Sequence, residues 1–232
     1  SNGLSVTRKQ DFRYRGLTSH LLGKGMLGFR MMARSSWYTD DMLNTKLWSG
    51  SEVDILNNAL PIKEWSIKTT DENLIFPTNL SDNNTQLLTF KKTTYRTDLL
   101  LNGTIVQPSV VNFTNKFKIV TAIVPTNIIV KSNLDDIKSS TDITYNNFYL
   151  PLKTIETIND GFATNTTTNT YQNNTTGIGK DYYVGRMLVT EIEKQAYGTT
   201  VKAKQEYTYS NNLVSSSKAW NRDNSGWIQE AV

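Results

Sequence analysis

The 232-residue chain has no cysteine and a single histidine, His20. Without cysteine there is no disulfide framework, no thiolate metal ligand and no thiol nucleophile. One histidine excludes a multi-histidine metal site and leaves one candidate for imidazole general-base chemistry. No apolar run approaches the ~18 consecutive residues of a membrane span, so no membrane insertion is expected, and a mean hydropathy of −0.44 suits a soluble protein. The opening Ser1-Asn2-Gly3-Leu4 has neither an initiator Met nor the charged-then-apolar layout of a signal peptide, which reads as a processed product or an excised fragment. Together these absences argue against most enzyme classes, and no catalytic residue, cofactor or metal is assigned.

What is abundant points to β structure. Asn and Thr make up about a quarter of the chain, while alanine, the best helix former, is scarce. Thr favours strands and Asn favours turns. Charge is uneven along the chain. Residues 1–34 carry seven basic side chains (Arg8, Lys9, Arg13, Arg15, Lys24, Arg30 and Arg34) against one acid, Asp11, whereas the whole chain is only +4. Such a segment can bind nucleic acid, dock on an acidic partner, or simply be solvated.

Residues 1–50 read as the least strand-like part. Leu17 to Leu22 suits a short strand or a helical turn, and Gly23-x-Gly25-x-x-Gly28 spells a dinucleotide fingerprint. That fingerprint needs an apolar strand before it, a helix after it and an acid about twenty residues on; lacking this context, the glycines read as a flexible turn. Thr39 or Asp40 suits the N-cap of a short helix near 41–48, a better role for Asp40 and Asp41 than cation binding or acid catalysis, since acid–base pairs face each other across a cleft.

From about residue 51 strands and turns alternate. Glu64 to Lys68 alternates polar and apolar residues, and Gln86 to Phe90 is a further candidate. Asn102-Gly103 between two apolar runs is the type I′ hairpin signal. Phe117 to Val124 and Asn127 to Lys131 read as two strands flanking Pro125, and Asn133 to Lys138 as a helical turn or linker. The Asn/Thr-rich stretch 163–179 reads as a mobile polar surface loop. Gly185 to Ile192 suits a strand, and so does Lys202 to Tyr209, whose lysines would protect an outer edge. The expected fold is mainly β, in antiparallel modules of sandwich or barrel-like form, after a short, irregular or partly helical N-terminal segment.

The C-terminal third carries a pattern. Leu150 to Ile155 precedes Asn159-Asp160-Gly161-Phe162; a polar loop leads to Gly185-Arg186-Met187-Leu188-Val189; Gln205-Glu206-Tyr207-Thr208-Tyr209 follows; and the end runs Trp220-Asn221-Arg222-Asp223-Asn224-Ser225-Gly226-Trp227. This order resembles the knob domains of bacteriophage tail fibres and pyocin fibres, in which a Gly-Phe/Tyr opening, a Gly-x-Leu-x-Val strand, a Gln-x-Tyr strand and an Arg-bearing closing hairpin succeed one another. Two departures stand out. The second closing Trp gives way to Gln229-Glu230, and the stretch before Gly185 is long and Asn/Thr-rich.

The resemblance covers residues 148–232 and implies a virion attachment protein of a phage tail, a fibre or baseplate tip. Its organisation would be an attachment segment at 1–50, a β-rich module at 51–135 and a knob-like module at 148–232. It implies a homotrimer that contacts other tail proteins and a host cell-surface polysaccharide or receptor. Sugars are recognised by aromatic faces and by amides or carboxylates, which makes Tyr207, Tyr209, Trp220, Arg222, Asp223 and Trp227 the candidate contacts. The alternative is a capsid or connector protein with a basic arm; nucleic acid is not the expected partner of the first reading. A depolymerase is the enzyme reading, but Asp135, Asp136, Glu191 and Glu193 show no spacing that assembles an acid–base pair.

Overall fold

The computed structural model describes residues 7–20, 25–220 and 227–231, the last five by their backbone. Strand accounts for 63% of the chain and short helical turns for 11%, so the mainly antiparallel β expectation holds. The strands are β1 (Phe12–His20), β2 (Gly25–Ser35), β3 (Leu47–Asp54), β4 (Leu60–Lys68), β5 (Thr89–Leu101), β6 (Thr104–Val106) and β7 (Ile119–Ser132). They continue as β8 (Ile137–Tyr145), β9 (Pro151–Ile158), β10 (Ala163–Asn174), β11 (Tyr183–Ala196), β12 (Thr199–Ser210), β13 (Leu213–Trp220) and β14 (Trp227–Ala231). Two compact units result: Ser1–Thr94 with Ile128–Lys138, and Tyr95–Asn127 with Ser139–Val232. Strands β5 and β7 each contribute residues to both.

The first unit holds the hydrophobic core. β1 to β4 pair in sequence order, and β4 pairs with the start of β5. On one face Ala33, Trp48, Trp65, Ile67 and Phe90 are buried, and the chain between β4 and β5 brings Ile75, Phe76, Leu80 and Leu87 onto them. Trp65 sits opposite Gly50 in the β3–β4 register. Its indole N–H donates to the Ile75 carbonyl at 3.0 Å, and its ring meets Phe76 edge-on with centroids 6.2 Å apart. Asn133 fastens the same excursion by donating to the carbonyls of Asn84 (3.0 Å) and Leu87 (2.6 Å).

The segment before β1 is zipped to the stretch after β2. Lys9 and Tyr38 exchange backbone hydrogen bonds, and the Asp11 N–H donates to Ser35 Oγ. Lys46 Nζ donates to Asp11 Oδ2 at 2.8 Å and lies 4.0 Å from the Tyr38 ring centroid. Arg13 pairs with Glu72, Lys9 with Asp40, and Arg30 with the buried Glu52. Three of the six described basic side chains of residues 1–34 are therefore matched inside the unit.

The second unit is a succession of antiparallel neighbours from β8 through β14. Among its described residues only Ser217 is buried, and no hydrophobic side chain is. Tyrosines tie its strands together. Tyr145, Tyr171 and Tyr209 donate their hydroxyls to the carbonyls of Pro125 (2.8 Å), Pro151 (3.1 Å) and Met187 (2.8 Å).

Several expectations hold locally. Asn102 and Gly103 both adopt positive φ, 52° and 79°, in the tight β5–β6 hairpin. Others require correction. The N-terminal segment carries one short 3-10 turn, Asp40–Thr45, but is dominated by β1 and β2, which pair across nine and eleven residues of mixed polarity. Gly25 opens a strand and not a phosphate-binding helix, and Thr39 occupies the N-cap without a side-chain capping bond. β7 runs unbroken through Pro125, and Asn133 to Asp136 form the turn of the β7–β8 hairpin, with Asp136 at φ 51°. Residues 163–174 are not a loop. Their threonines form β10, paired on both sides, because β-branched side chains suit a pleated surface whatever their polarity. β12 lies between β11 and β13 and is not an outermost strand, but among the described residues Lys202 and Lys204 have a ladder partner only on β11, since the pairing with β13 runs from Gln205 to Ser210.

Two outcomes test this packing. A Cβ at Gly50 would lie 2.2 Å from the Trp65 ring, so Gly50→Ala should lower stability by about 3 kcal/mol; an unchanged midpoint in urea denaturation followed by Trp fluorescence would refute the close approach. The hydrogen bond from Lys46, against the opposing pull of burial and aided by the Tyr38 hydroxyl, holds the Asp11 carboxyl below its ordinary range. A carboxyl lowered on folding contributes stability that is present above its unfolded pKa of ~3.9 and is lost as pH falls through the folded value. Asp11→Asn should therefore cost about 1–2 kcal/mol at pH 7, and the gap to the parent should narrow as pH falls below the unfolded value and close once the folded carboxyl is protonated, read in a denaturation series at falling pH.

Candidate functional site

The second unit presents two clefts that share no lining residue. The first follows from register. Thr166 stands opposite Glu193, which stands opposite Lys202; Thr168, Glu191 and Lys204 form the next row. Residues two apart on a strand share a face, so β10, β11 and β12 each place a pair of like side chains on one surface. Ile192 and Ala203 also line the cleft, and Trp220 on β13 closes it, with the Lys204 ammonium 5.8 Å from its ring centroid. The cavity is about 220 Å³.

The charges in this cleft are matched. Lys202 bonds Glu193 at 2.8 Å, and Lys204 reaches Glu191 at 3.2 Å and Glu206 at 3.1 Å. These bonds raise the pKa of both lysines: for Lys202 through Glu193, for Lys204 through Glu206 and then Glu191. Both glutamates lie on a single strand, and each is engaged by a lysine. The surface offers alternating hydrogen-bond donors and acceptors beside an aromatic ring.

The second cleft, of about 350 Å³, lies at the other end of β12. There the ladder is irregular, with register shifts between Thr170 and Tyr171, between Gln172 and Asn174, and between Thr208 and Tyr209. Arg186 stacks over Tyr183, its guanidinium carbon 3.5 Å from the ring centroid, and over Tyr209 at 4.8 Å. Its Nη2 donates to Asn212 Oδ1 at 2.5 Å, and the Asn212 amide nitrogen donates in turn to the Lys180 carbonyl. Asn211 and Asn212 form the two-residue β12–β13 turn with φ of 51° and 67°, a conformation Asn tolerates better than most residues.

The structure thus separates the sequence candidates. Trp220 lines the first cleft and Tyr209 the second. Tyr207 is half-buried on β12 opposite Ser217 and lines neither. The backbone of Trp227 pairs with Trp220 across the closing β13–β14 hairpin, while Arg222 and Asp223 lie outside the described residues. Sequence reasoning missed Thr166, Thr168, Tyr183, Lys180, Arg186 and Asn212. A signal for the first cleft does exist: Thr166-Thr167-Thr168, Glu191-Ile192-Glu193 and Lys202-Ala203-Lys204 repeat one spacing on three strands, with opposite charges in the last two. Among the described residues no three His, Asp or Glu side chains converge to hold a metal ion, and no helix is long and apolar enough to cross a membrane.

No family model matches the chain, and no curated protein matches it. Solved structures do. The crystal structure of TcdB2-TccC3-Cdc42 superposes with a TM-score of 0.60 at 8% identity over 93% of this chain and 15% of that one. Crystal structures of TcdB2-TccC3 without its hypervariable C-terminal region (TM-score 0.61, 8% identity) and of TcdB2-TccC3 (0.61, 7%) also cover 93% of this chain. The chain spans 15–16% of the length of these neighbours. At such identities the likeness is one of fold.

Proposed function

We propose that this chain is a non-catalytic carbohydrate-binding β module of an attachment protein, with the Trp220 cleft as its saccharide site. The observation that carries the reading is the row of Thr, Glu and Lys side chains laid by strand register beside an indole ring. A sugar ring stacks an apolar face on an aromatic side chain and satisfies its hydroxyls with fixed donors and acceptors. Because Glu191 and Glu193 are countered by Lys204 and Lys202, the cleft favours neutral saccharides. The proposed setting is a phage tail, supported by the resemblance of residues 148–232 to fibre knobs and by the strands β11 and β12, which carry its Gly-x-Leu-x-Val-like and Gln-x-Tyr stretches.

A structural role as a wall segment in a larger β assembly is the second reading. Two observations favour it: superposition of nearly the whole chain within a much longer one, and a second unit without a fully buried hydrophobic side chain among its described residues. A sheet gains most of its stability when a face is packed, which a neighbouring copy or a further segment would provide. The connector version with a free basic arm fits less well, since β1 and β2 belong to the sheet and Arg13 and Arg30 are ion-paired there.

Two measurements separate these readings. Titration of the full chain with purified wall polysaccharides and neutral oligosaccharides should give binding that Trp220→Ala weakens about tenfold, or ~1.4 kcal/mol, with the far-ultraviolet spectrum unchanged; binding that survives the substitution intact would remove Trp220 from the site. Light scattering at micromolar concentration should give a homotrimer, three times the 26.3 kDa chain mass; a monomer would leave the exposed faces without the closed symmetry proposed for them.

A further inference from the structure

Arg186 is held by two tyrosine rings and the Asn212 amide, with no carboxylate beside it among the described residues. Lys180, in the same cleft, also has no carboxylate within ion-pair distance among the described residues, and only its backbone carbonyl is engaged, by Asn212. Asp181 is the one acid in the lining, so two cations face one anion. By contrast, the lysines of the Trp220 cleft are matched by glutamates.

The guanidinium is held in position by its surroundings. Tyr183 and Tyr209 lie against its guanidinium carbon, and Tyr209 is itself anchored through its hydroxyl to the Met187 carbonyl. Asn212 takes one N–H and is locked by its own bond to the loop carrying Lys180. That loop is constrained in turn: Asn174 Oδ1 accepts from the Gly177 N–H at 3.1 Å, and a Cβ at Gly177 would lie 2.1 Å from the Asp181 carbonyl oxygen. A guanidinium has five N–H donors, so one bond to Asn212 leaves most of its fork to offer. A planar, stacked fork is complementary to a carboxylate, which it binds through two parallel hydrogen bonds.

We infer that the Arg186 cleft is a binding site for a carboxylate-bearing saccharide of the uronic acid class, with Arg186 taking the carboxylate, Lys180 adding charge, and the Asn174 and Asn211 side chains and the Tyr183 hydroxyl facing the ring hydroxyls. The volume of about 350 Å³ suits one or two sugar rings. The inference rests on the carbohydrate-binding reading but concerns a different cleft and a different charge class. The Trp220 cleft is charge-matched and takes neutral rings; the Arg186 cleft carries uncompensated positive charge and selects acidic ones.

The experiment uses the full chain with three probes: oligogalacturonate, its fully methyl-esterified form, and a neutral maltooligosaccharide, each titrated calorimetrically at low salt. The acid should bind at least tenfold more tightly than its ester. Arg186→Gln should erase that preference. Arg186→Lys, which keeps the charge but loses the fork, should retain less than half of it on a logarithmic scale, and Lys180→Gln should reduce it severalfold. Trp220→Ala should leave the acid-over-ester ratio unchanged. Equal affinity for acid and ester in the parent chain would overturn the inference even if the Arg186 variants failed to fold. Equal competition by inorganic sulfate or polyphosphate would also overturn it, marking a general anion site. Neutral binding that depends on Trp220 without acid preference would sink this inference and leave the general reading standing. Acid preference that depends on Arg186, together with neutral-sugar binding that Trp220→Ala leaves intact, would keep this inference and remove the Trp220 cleft from the general reading.

Discussion

The contact of Trp65 with the bare backbone of Gly50 is the constraint on which the first unit depends. Only a residue without a Cβ lets the indole lie against β3, since ring atoms occupy the place a Cβ would take. In that position the indole nitrogen reaches the Ile75 carbonyl, and the long connection between β4 and β5 is pinned face-down on the sheet. The connection then delivers Ile75, Phe76, Leu80 and Leu87 as a second layer. A sheet needs such a layer to bury its apolar face, and here a loop provides it. Asn84 and Asn133 satisfy carbonyls that this folding-over would otherwise strand away from water.

The second unit solves the same problem by other means. Its strands are long and each is laddered to its neighbours over much of its length, and its faces carry Thr, Glu, Lys and Tyr in place of a dense apolar layer. Half-buried tyrosines cap carbonyls on neighbouring strands, and cross-strand ion pairs join β11 to β12. Exposed pairs of this kind contribute little individually; most of the order comes from the ladder itself and from the stems of long side chains lying along the sheet. Such a construction leaves polar, functional-looking surface on a rigid frame. The first unit places Trp48, Trp65, Phe76 and Phe90 in its core and leaves Phe12, Tyr14 and Trp37 exposed, whereas the second keeps Trp220, Tyr183 and Tyr209 beside clefts.

How much of this was legible follows from what each signal measures. The Asn102-Gly103 hairpin was readable because a two-residue turn with positive φ is encoded locally. The strand at Glu64–Lys68 is readable because its burial alternates with its polarity, whereas Gly185–Ile192, half-buried throughout except at Glu191, is readable from its apolar and β-branched content. The strand at 163–174 was hidden by composition: Asn and Thr in a row look like a loop when polarity is weighed above β-branching, yet both flanking strands make that row interior to the ladder. Residues 1–50 hide their strands for a related reason: Arg13, Arg15 and Arg30 break the apolar pattern, yet Arg13 pairs with Glu72 and lies over Trp48, and Arg30 pairs with Glu52. Of the site, the aromatic residues Tyr209 and Trp220 were legible one at a time, but their separation into two clefts was not, because it depends on partners far away in sequence.

Register is what converts those separate strands into sites. Where β10, β11 and β12 keep step, like side chains spaced by two fall into straight rows, and Thr, Glu and Lys lie side by side with their charges matched. Where β10 and β12 slip, at Tyr171, Asn174 and Tyr209, the rows end and the pleat no longer dictates which face a side chain takes. A bulge re-aims side chains at the point where it occurs. At that end of the sheet the irregularity gathers Tyr183, Arg186 and Tyr209 into a stack instead of a row, and the nearest turn, Asn211-Asn212, supplies an amide where an ordered row would have supplied a carboxylate. The same strands therefore carry a neutralised surface and an uncompensated guanidinium within one unit, and the difference between them is a change in strand register more than a change in residue type.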